Sequence, residues 1–338
     1  MKERAYSNVA RFFYARKEML IDETADSLSF FERSINPMLH LLILPVSLLI
    51  DRILGEPKRY HPLVAYGALV DKIESTLNRG PEKASKGAIA WIVAVLPIVA
   101  LVWLFDTLIG GWWLSILFGW LAIGWQSLRQ HGIWVEQALI NNDIAEARQK
   151  LSWLVSRDTS QLSSNEISKA SIESVLENGS DAIFAPLFWL AVGGAPAVVA
   201  YRLCNTLDAM WGYRNQRFEQ FGKFSARIDD LLNIIPARLT ALTYGLAGNF
   251  RGAMQAWRAQ MGQWYSPNAG VVMAAGAGAL DLRLGGDAVY HGKSKKRPSL
   301  GNGQEPQVAD LTNALKLVDR SVYIWAIAAL LLGALGFL

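Results

Sequence analysis

The chain has 338 residues, of which 52% are hydrophobic and 13 are tryptophan, and its formal net charge is +4. Its mean hydropathy of +0.19 is too high for a soluble enzyme and predicts an integral membrane protein. The positive charge is mild and dispersed, which indicates no nucleic-acid partner. The single cysteine, Cys204, excludes an intrachain disulfide framework.

The first segment, residues 1–37, is polar and balanced in charge. It lacks a basic stretch followed directly by an apolar run, and we therefore do not interpret it as a signal peptide. We expect a dispensable N-terminal extension over residues 1–37 and a single membrane-embedded domain over residues 38–338.

Apolar segments along the chain predict about four full transmembrane helices, at residues 38–55, 86–105, 111–128 and 321–338. The first is short and contains Pro45, but tilt can accommodate a segment of this length. Together with polar stretches of helical periodicity, these segments predict an all-α integral membrane protein. Its remaining parts should be re-entrant or half helices and cytoplasmic helical segments.

The segment 183–204 allows two interpretations. It is long enough to cross a membrane, but its centre reads "GGAP" (193–196), which breaks helices. A full span would place the polar residues before and after it on opposite faces of the membrane. A re-entrant hairpin would keep them together, and a bent backbone is tolerated at membrane depth where protein covers it. We favour the hairpin.

Lysine and arginine placement predicts the orientation. The loop 106–110 holds no basic residue, whereas 55–85, 129–182 and 285–320 are rich in them. Because basic loops stay on the cytoplasmic side, the long polar segments should be cytoplasmic. The basic cluster "KSKKR" (293–297) is interpreted as a solvated or lipid-facing loop.

The first of three polar clusters covers residues 156–181. A helix over 165–181 would place Glu173, Glu177 and Asp181 on one face. Such a carboxylate stripe suits Mg²⁺, a hard ion that takes oxygen ligands. The alternative is a solvated helix face, although such a face rarely leads directly into a membrane segment.

The other two clusters also contain acids near apolar segments. The second (201–215) contains Asn205 and Asp208 on a helix that starts inside an apolar region, where ionisable groups are functional candidates. The third (221–242) combines acids, an amide and arginines: Arg227, Asp229, Asp230, Asn233 and Arg238. It could hold a metal–phosphate group or form an internal salt-bridge network, and composition does not separate the two. No GxxxxGK[ST] occurs, so any nucleotide site is not a P-loop.

Seven motifs, in one order, resemble the CobD/CbiB family from about Leu39 to the C-terminus. They are "DRILGEPKRYHP", "ARQKLSWLVSRDTSQL", "ESVLENGSDAIFAPLFW", "YRLCNTLDAMWGYRN", "FGKFSARIDDLLNIIPAR", "SPNAGVVMAAGAGALDLRLGG" and "YHGKSKKRPSLG". The resemblance implies an adenosylcobinamide-phosphate synthase of cobalamin (vitamin B12) biosynthesis in the bacterial inner membrane. Its activity would be ATP- and Mg²⁺-dependent amide formation, joining the corrinoid adenosylcobyric acid to (R)-1-aminopropan-2-ol or its O-phosphate.

This resemblance gives the clusters expected roles. The acids expected to bind Mg²⁺ or act as a base are Glu177, Asp181, Asp208, Asp229 and Asp230, and the metal set is Glu173, Glu177 and Asp181. The arginines expected to hold phosphate are Arg157, Arg214, Arg227 and Arg238. The amides expected to orient the corrin are Asn178, Asn205, Asn233 and Asn268, and Asp158 and Tyr213 complete the substrate-binding set.

The expected partners are the two substrates and membrane lipid, and other membrane enzymes of the cobalamin pathway are candidate partners. The alternative function is a non-catalytic membrane sensor or a transporter-like relative of the same superfamily. The density of polar residues in all three clusters argues against that alternative, because a degenerate relative should have lost several of them.

Overall fold

The computed structural model describes residues 41–57, 61–109, 112–290 and 293–335, so the predicted extension over 1–37 lies outside them. The helices are α1 (41–54), α2 (Pro62–Leu77), α3 (Lys83–Ile109), α4 (Trp112–Ala122), α5 (Trp125–Ile140), α6 (Ile144–Leu151), α7 (Ser164–Gly179), α8 (Ala185–Trp211), α9 (Lys223–Leu232), α10 (Ile234–Ala247), α11 (Phe250–Gln260), α12 (Ala269–Ala279) and α13 (Val308–Leu335). A π-helical turn, Ser180–Phe184, joins α7 to α8, and a 3₁₀ turn, Met261–Gln263, follows α11.

Three segments of the described chain are long and apolar enough to cross a membrane: Lys83–Ile109, Ser164–Trp211 and Val308–Leu335. Helix α3 is apolar on all sides, with its lysines confined to the first turn, as expected where lipid surrounds a helix. The prediction of an all-α membrane protein is confirmed.

The region predicted as a span over 111–128 is divided between two helices. Helix α4 ends at Ala122, and α5 begins at Trp125. Gly124 lies between them with non-helical φ and ψ, and its N–H donates to the carbonyl of Ala182 at 2.9 Å. Since α4 is only about 16 Å long at 1.5 Å per residue, it is shorter than the roughly 30 Å hydrocarbon core. Of the four predicted spans, 86–105 and 321–338 overlap candidate spans of the described chain, whereas 111–128 and the described part of 38–55, helix α1, do not. The third candidate, Ser164–Trp211, contains the segment 183–204.

Helix α8 folds back on itself. Gly193 and Gly194 leave helical geometry, and Gly194 has φ +58° and ψ −145°, a conformation that favours glycine. The Tyr201 hydroxyl donates to the carbonyl of Asp181 at 3.0 Å across 20 residues. A straight helix would separate these residues by about 30 Å. The chain therefore folds back at the predicted "GGAP" stretch, and the two polar ends of this hairpin lie side by side.

Helix α12 lies at the centre of the part that supports these polar ends. Its sequence, "AGVVMAAGAGA", is made almost entirely of small residues, and Gly270–Ala279 are all buried. A Cβ at Gly276 would lie 2.7 Å from the Leu176 side chain, and one at Gly278 would lie 2.3 Å from the Gly252 carbonyl oxygen. Small residues thus allow α7 and α11 to approach closely, as is common in membrane helix packing.

The described residues form four short strands: β1 (Leu284–Gly285), β2 (Ala288–Tyr290), β3 (Lys293–Lys295) and β4 (Ser299–Leu300). Strand β1 pairs antiparallel with β4, and β2 pairs antiparallel with β3. This excursion leaves the bundle after α12 and returns before α13. Its pairing places the segment between β3 and β4 against α7.

Candidate active site

Two cavities share a wall where the hairpin ends meet α7 and α9. The larger has a volume of about 620 Å³, and the smaller has a volume of about 220 Å³. Glu177, Asp181 and Tyr265 line both. Together the cavities form one cleft with two chambers, within the size range of small-molecule sites.

The smaller cavity collects all five acids predicted as catalytic: Glu177, Asp181, Asp208, Asp229 and Asp230. They come from α7, the π-helical turn, α8 and α9, and the fold-back of α8 brings the first two against the third. Arg214 also lines this cavity and is exposed. The chamber therefore has an excess of negative charge.

Two of these acids are held by hydrogen bonds. The amide of Asn205 donates to Asp229 at 3.3 Å, and the amide of Asn233 donates to its second oxygen at 3.0 Å. Burial raises the pKa of Asp229 to about 6, although these two amides act in the opposite direction. Asp230 accepts from the hydroxyl of Ser266 at 3.1 Å, and burial also raises the pKa of Asp230.

The other three acids have carboxylates that are available to bind a ligand. The carboxylates of Glu177, Asp181 and Asp208 are half-buried. They have no hydrogen bond or ion pair with any residue in the described part of the chain. Carboxylates in this state attract a cation or a protonated ligand, because burial without a partner is unfavourable.

The larger cavity has an aromatic wall. Its side chains include Trp153, Tyr213, Trp264, Tyr265 and Met273. Asn178 lies at its polar edge, where its amide also donates to the carbonyl and hydroxyl oxygens of Ser174 at 2.9 Å each. Such a chamber suits a ligand that has both an apolar face and amide groups.

Glu173 does not share the chemistry predicted for it. Its carboxylate accepts from Arg157 at 2.5 Å, from Arg297 at 3.0 and 3.1 Å, and from the N–H of Gly285 at 2.8 Å. The described residues contain no group of three or more histidine, cysteine or acidic side chains placed to hold a metal ion. The predicted trio of Glu173, Glu177 and Asp181 is therefore not a preformed metal centre, because two arginines and the backbone N–H of Gly285 already bind the Glu173 carboxylate.

Several predicted substrate-binding residues lie away from the cavities. Asp158 is fully exposed and accepts from the N–H of Ser160, within its own turn. Arg227 is exposed on α9 and lines neither cavity. Arg238 lies behind Asn268 and donates to its side-chain oxygen. These three polar side chains belong to solvent-facing or supporting structure.

The remaining predicted amides divide in the same way. Asn233 and Asn268 line the smaller cavity, and Asn268 donates to the carbonyl of Asp230 at 2.7 Å. Asn205 lines neither cavity and supports Asp229 from behind. None of these amides lines the larger, aromatic chamber.

Arg297 is the main site residue that the sequence analysis missed. Its side chain is only 5% exposed, and its guanidinium lies 5.3 Å from the centre of the Trp264 ring. The interpretation of 293–297 as a solvated or lipid-facing loop is wrong for this residue. The following Pro298 is a turn signal, but nothing in the local pattern reveals a partner on α7.

The chain was compared with known proteins. The family model for the CobD/CbiB protein matches residues 44–318. The chain belongs to the CobD/CbiB family. Every residue that lines the two cavities lies inside the matched region.

Curated CobD/CbiB relatives match over most of their length. The cobalamin biosynthesis protein CobD of Stutzerimonas stutzeri is 54% identical over 287 residues, which cover 84% of this chain and 95% of the relative. That of Chromobacterium violaceum is 48% identical over 311 residues, covering 87% and 98%. That of Mycobacterium tuberculosis is 39% identical over 280 residues, covering 80% and 89%. No solved structure matches the chain.

Proposed function

We propose that this CobD/CbiB protein is an enzyme of cobalamin biosynthesis that joins a corrin carboxylate to aminopropanol or its O-phosphate at the expense of ATP. The observation that carries the proposal is the two-chamber cleft. Unpartnered carboxylates and an aromatic wall meet there along Glu177, Asp181 and Tyr265. The names of the curated relatives place them in cobalamin biosynthesis.

The reaction has two steps that the two chambers can serve. A carboxylate oxygen of the corrin side chain attacks the terminal phosphorus of ATP, and ADP leaves. The amine nitrogen then attacks the acyl carbon and loses a proton as phosphate leaves. In the proposal, the corrin packs on the aromatic wall of the larger cavity, and its reacting carboxylate reaches the shared wall.

The donor set of the smaller cavity fits Mg²⁺ that is bound together with a phosphate-bearing substrate. Mg²⁺ in nucleotide enzymes commonly takes one or two protein carboxylates, with phosphate oxygens and water completing the shell. Glu177, Asp181 and Asp208 offer such carboxylates, and none of the three forms a salt bridge within the described chain. When bound, Mg²⁺ would neutralise phosphate charge. Glu173 is not part of this proposal.

Asp229 suits the role of proton acceptor. A base with a pKa of about 6 is largely ionised at neutral pH, yet it binds a proton more readily than an ordinary aspartate. Asn205 and Asn233 fix the orientation of its carboxylate. In the same chamber, Arg214 would hold a phosphate oxygen through its guanidinium.

We place the cleft on the cytoplasmic side of a bacterial inner membrane. The supporting observations are that both ends of the α8 hairpin reach the cleft, and that the polar segments flanking it carry basic residues such as Arg157, Lys169 and Arg217, whereas the loop 106–110 carries none. ATP is available on that side.

The test is synthesis by the purified full chain in detergent. Adenosylcobyric acid, ATP, Mg²⁺ and either aminopropanol or its O-phosphate should give the corresponding adenosylcobinamide and one ADP per amide. Omission of ATP should stop the reaction. A folded protein that binds the corrinoid but forms no amide with either amine would favour the non-catalytic sensor or transporter alternative.

A further inference from the structure

We propose that Arg157 and Arg297, held in place by Glu173, form a binding site for the phosphate group of a substrate on the wall of the larger cavity. The inference deepens the proposed function and rests on it for the identity of the substrates. It also gives Glu173 a role as a positioning residue, which differs from the metal ligand that its helix position suggests.

The Glu173 cluster, defined as Glu173, Arg157 and Arg297, is assembled from three separate parts of the chain. Glu173 lies on α7, Arg157 precedes α7, and Arg297 lies between β3 and β4. Both arginines line the larger cavity. The side chains of Glu173, Arg157 and Arg297 are only 3%, 11% and 5% exposed.

Several hydrogen bonds fix the positions of the side chains in the Glu173 cluster. Arg297 meets Glu173 through both terminal nitrogens, and its Nε donates to the carbonyl of Gly286 at 2.9 Å. Gly285 donates its N–H to the same carboxylate and has φ +74°. A Cβ at Gly285 would lie 2.1 Å from the carbonyl oxygen of Pro298, so only glycine fits there. Such fixed guanidinium groups are pre-organised for an incoming anion.

The cluster contains two guanidinium groups and one carboxylate, on a wall that is almost shielded from solvent. The Glu177 carboxylate on the same cavity wall is a second negative charge near both arginines. Arg157 donates to Glu173 only through Nη2, and within the described residues its other N–H groups have no hydrogen-bonding partner. A half-buried cation beside a large cavity favours an anionic ligand.

The position of the two arginines indicates the class of ligand. The smaller cavity is rich in unpartnered carboxylates, and the Glu173 cluster lies on the other chamber, beyond Glu177 and Asp181. A carboxylate ligand would satisfy the arginines equally well by charge. A phosphate group offers more acceptor oxygens, enough to contact both guanidinium groups at once.

Two substrates of the proposed reaction carry phosphate: ATP and the O-phosphate of aminopropanol. Binding measurements on the full chain in detergent show which of the two uses this site. The probes in isothermal titration are inorganic phosphate, a non-hydrolysable ATP analogue with Mg²⁺, aminopropanol and its O-phosphate. Arg157→Ala should weaken binding of at least one phosphate-bearing probe by about 10- to 100-fold, the scale of a charged hydrogen bond. Binding of unphosphorylated aminopropanol should not change.

The matched control is Arg217→Ala. This residue also pairs with a buried glutamate, Glu74, at 2.7 Å, but it lines neither cavity. All probes should bind this variant as they bind the natural protein. A loss of affinity as large in Arg217→Ala as in Arg157→Ala would assign the effect to the fold and overturn the proposal.

Kinetics test the positioning role of Glu173. Glu173→Gln keeps the size of the side chain but weakens its hold on both arginines, so KM for the phosphate-bearing substrate should rise about tenfold or more while KM for the corrinoid stays constant. Arg157→Lys should restore part of the affinity that Arg157→Ala loses. An equal rise of both KM values would indicate a structural role alone and contradict the proposal.

A measurement on the natural protein covers the case in which the variants do not fold. A dicarbonyl reagent modifies accessible arginines, and mass spectrometry can follow Arg157 in the full chain. The phosphate-bearing probe should slow the modification of Arg157 by at least about threefold. The same concentration of unphosphorylated aminopropanol should not slow it. Equal modification with and without all phosphate probes would overturn the site. Protection without any amide synthesis would instead leave the site standing and reject the proposed function.

Discussion

At the scale of single residues, Glu177, Asp181 and Asp208 lie on one cavity wall without partners in the described chain. Their charges repel one another until a cation binds. We therefore predict opposed effects for Asp181→Asn. Thermal stability without Mg²⁺ should be unchanged or raised, whereas amide synthesis should fall by roughly two orders of magnitude, as for lost electrostatic stabilisation.

The control for this prediction is Asp158→Asn. Asp158 is fully exposed and lines neither cavity, so that variant should match the natural protein in both stability and turnover. Melting curves and turnover are measured on membranes matched for protein level. A destabilised but catalytically normal Asp181→Asn protein would refute the role of Asp181 in a cation–phosphate site.

Asp229 gives a prediction for pH. Its pKa in the folded chain is raised from 3.8 to about 6, so the folded state binds more protons than the unfolded state between these values. Its contribution to stability is therefore full below about pH 4 and is lost as the pH rises through 6, by on the order of 1–3 kcal/mol.

Thermal unfolding from pH 4 to pH 7 tests this contribution. The fall in melting temperature over this interval should be smaller in Asp229→Asn than in the natural protein, because the substituted residue cannot titrate. Identical pH profiles for the two proteins would show that burial does not raise the pKa of Asp229.

At the scale of elements, the hairpin in α8 depends on one backbone position. Gly194 combines φ +58° with ψ −145°, which a residue with a Cβ adopts only under strain. Gly194→Ala should lower the free energy of unfolding by about 1–3 kcal/mol. Gly262→Ala is the control, because a Cβ there meets nothing within 4 Å. Equal melting temperatures for the two variants would contradict the strained turn.

The sequence predicts this hairpin because its cause is local. The "GGAP" stretch at 193–196 interrupts an apolar run, and acids at helical spacing before it share a face. The division between α4 and α5 has a weaker local signal. Gly124 is one glycine in an apolar run, and its non-helical conformation depends on a hydrogen bond with Ala182, a distant residue.

The Glu173 cluster lies further beyond what a sequence pattern can show. Glu173 looks like its neighbour Glu177 when the helix face is considered alone. Its true partner, Arg297, is 124 residues away and belongs to a basic run that resembles a solvated loop. Long-range pairing of this kind is set by the fold, and the spacing of residues in the sequence does not predict it.

At the scale of the whole molecule, the fold-back of α8 determines topology. Both ends of the hairpin reach the same cleft, so residues before and after it should lie on one side of the membrane. Gln161 and Gln216 are exposed on the two sides of the hairpin in sequence. We predict that Gln161→Cys and Gln216→Cys, each in a Cys204→Ser background, both resist an impermeant thiol reagent in intact cells.

Permeabilised cells are the control for that prediction, since both cysteines should then react. Labelling of one cysteine but not the other in intact cells would mean that 183–204 crosses the membrane. Labelling of both would keep the hairpin and reverse the assigned orientation.

The tip of the hairpin also bears on how the protein is made. The N–H of Ala195, released by the glycine turn, donates to the buried hydroxyl of Ser115 at 3.0 Å. The ribosome synthesises Ser115 eighty residues before Ala195, so α4 leaves the ribosome before the tip does. In lipid, an N–H without a partner is costly, and the order of translation supplies the partner first. We therefore expect the tip of the hairpin to fold against α4 during biogenesis.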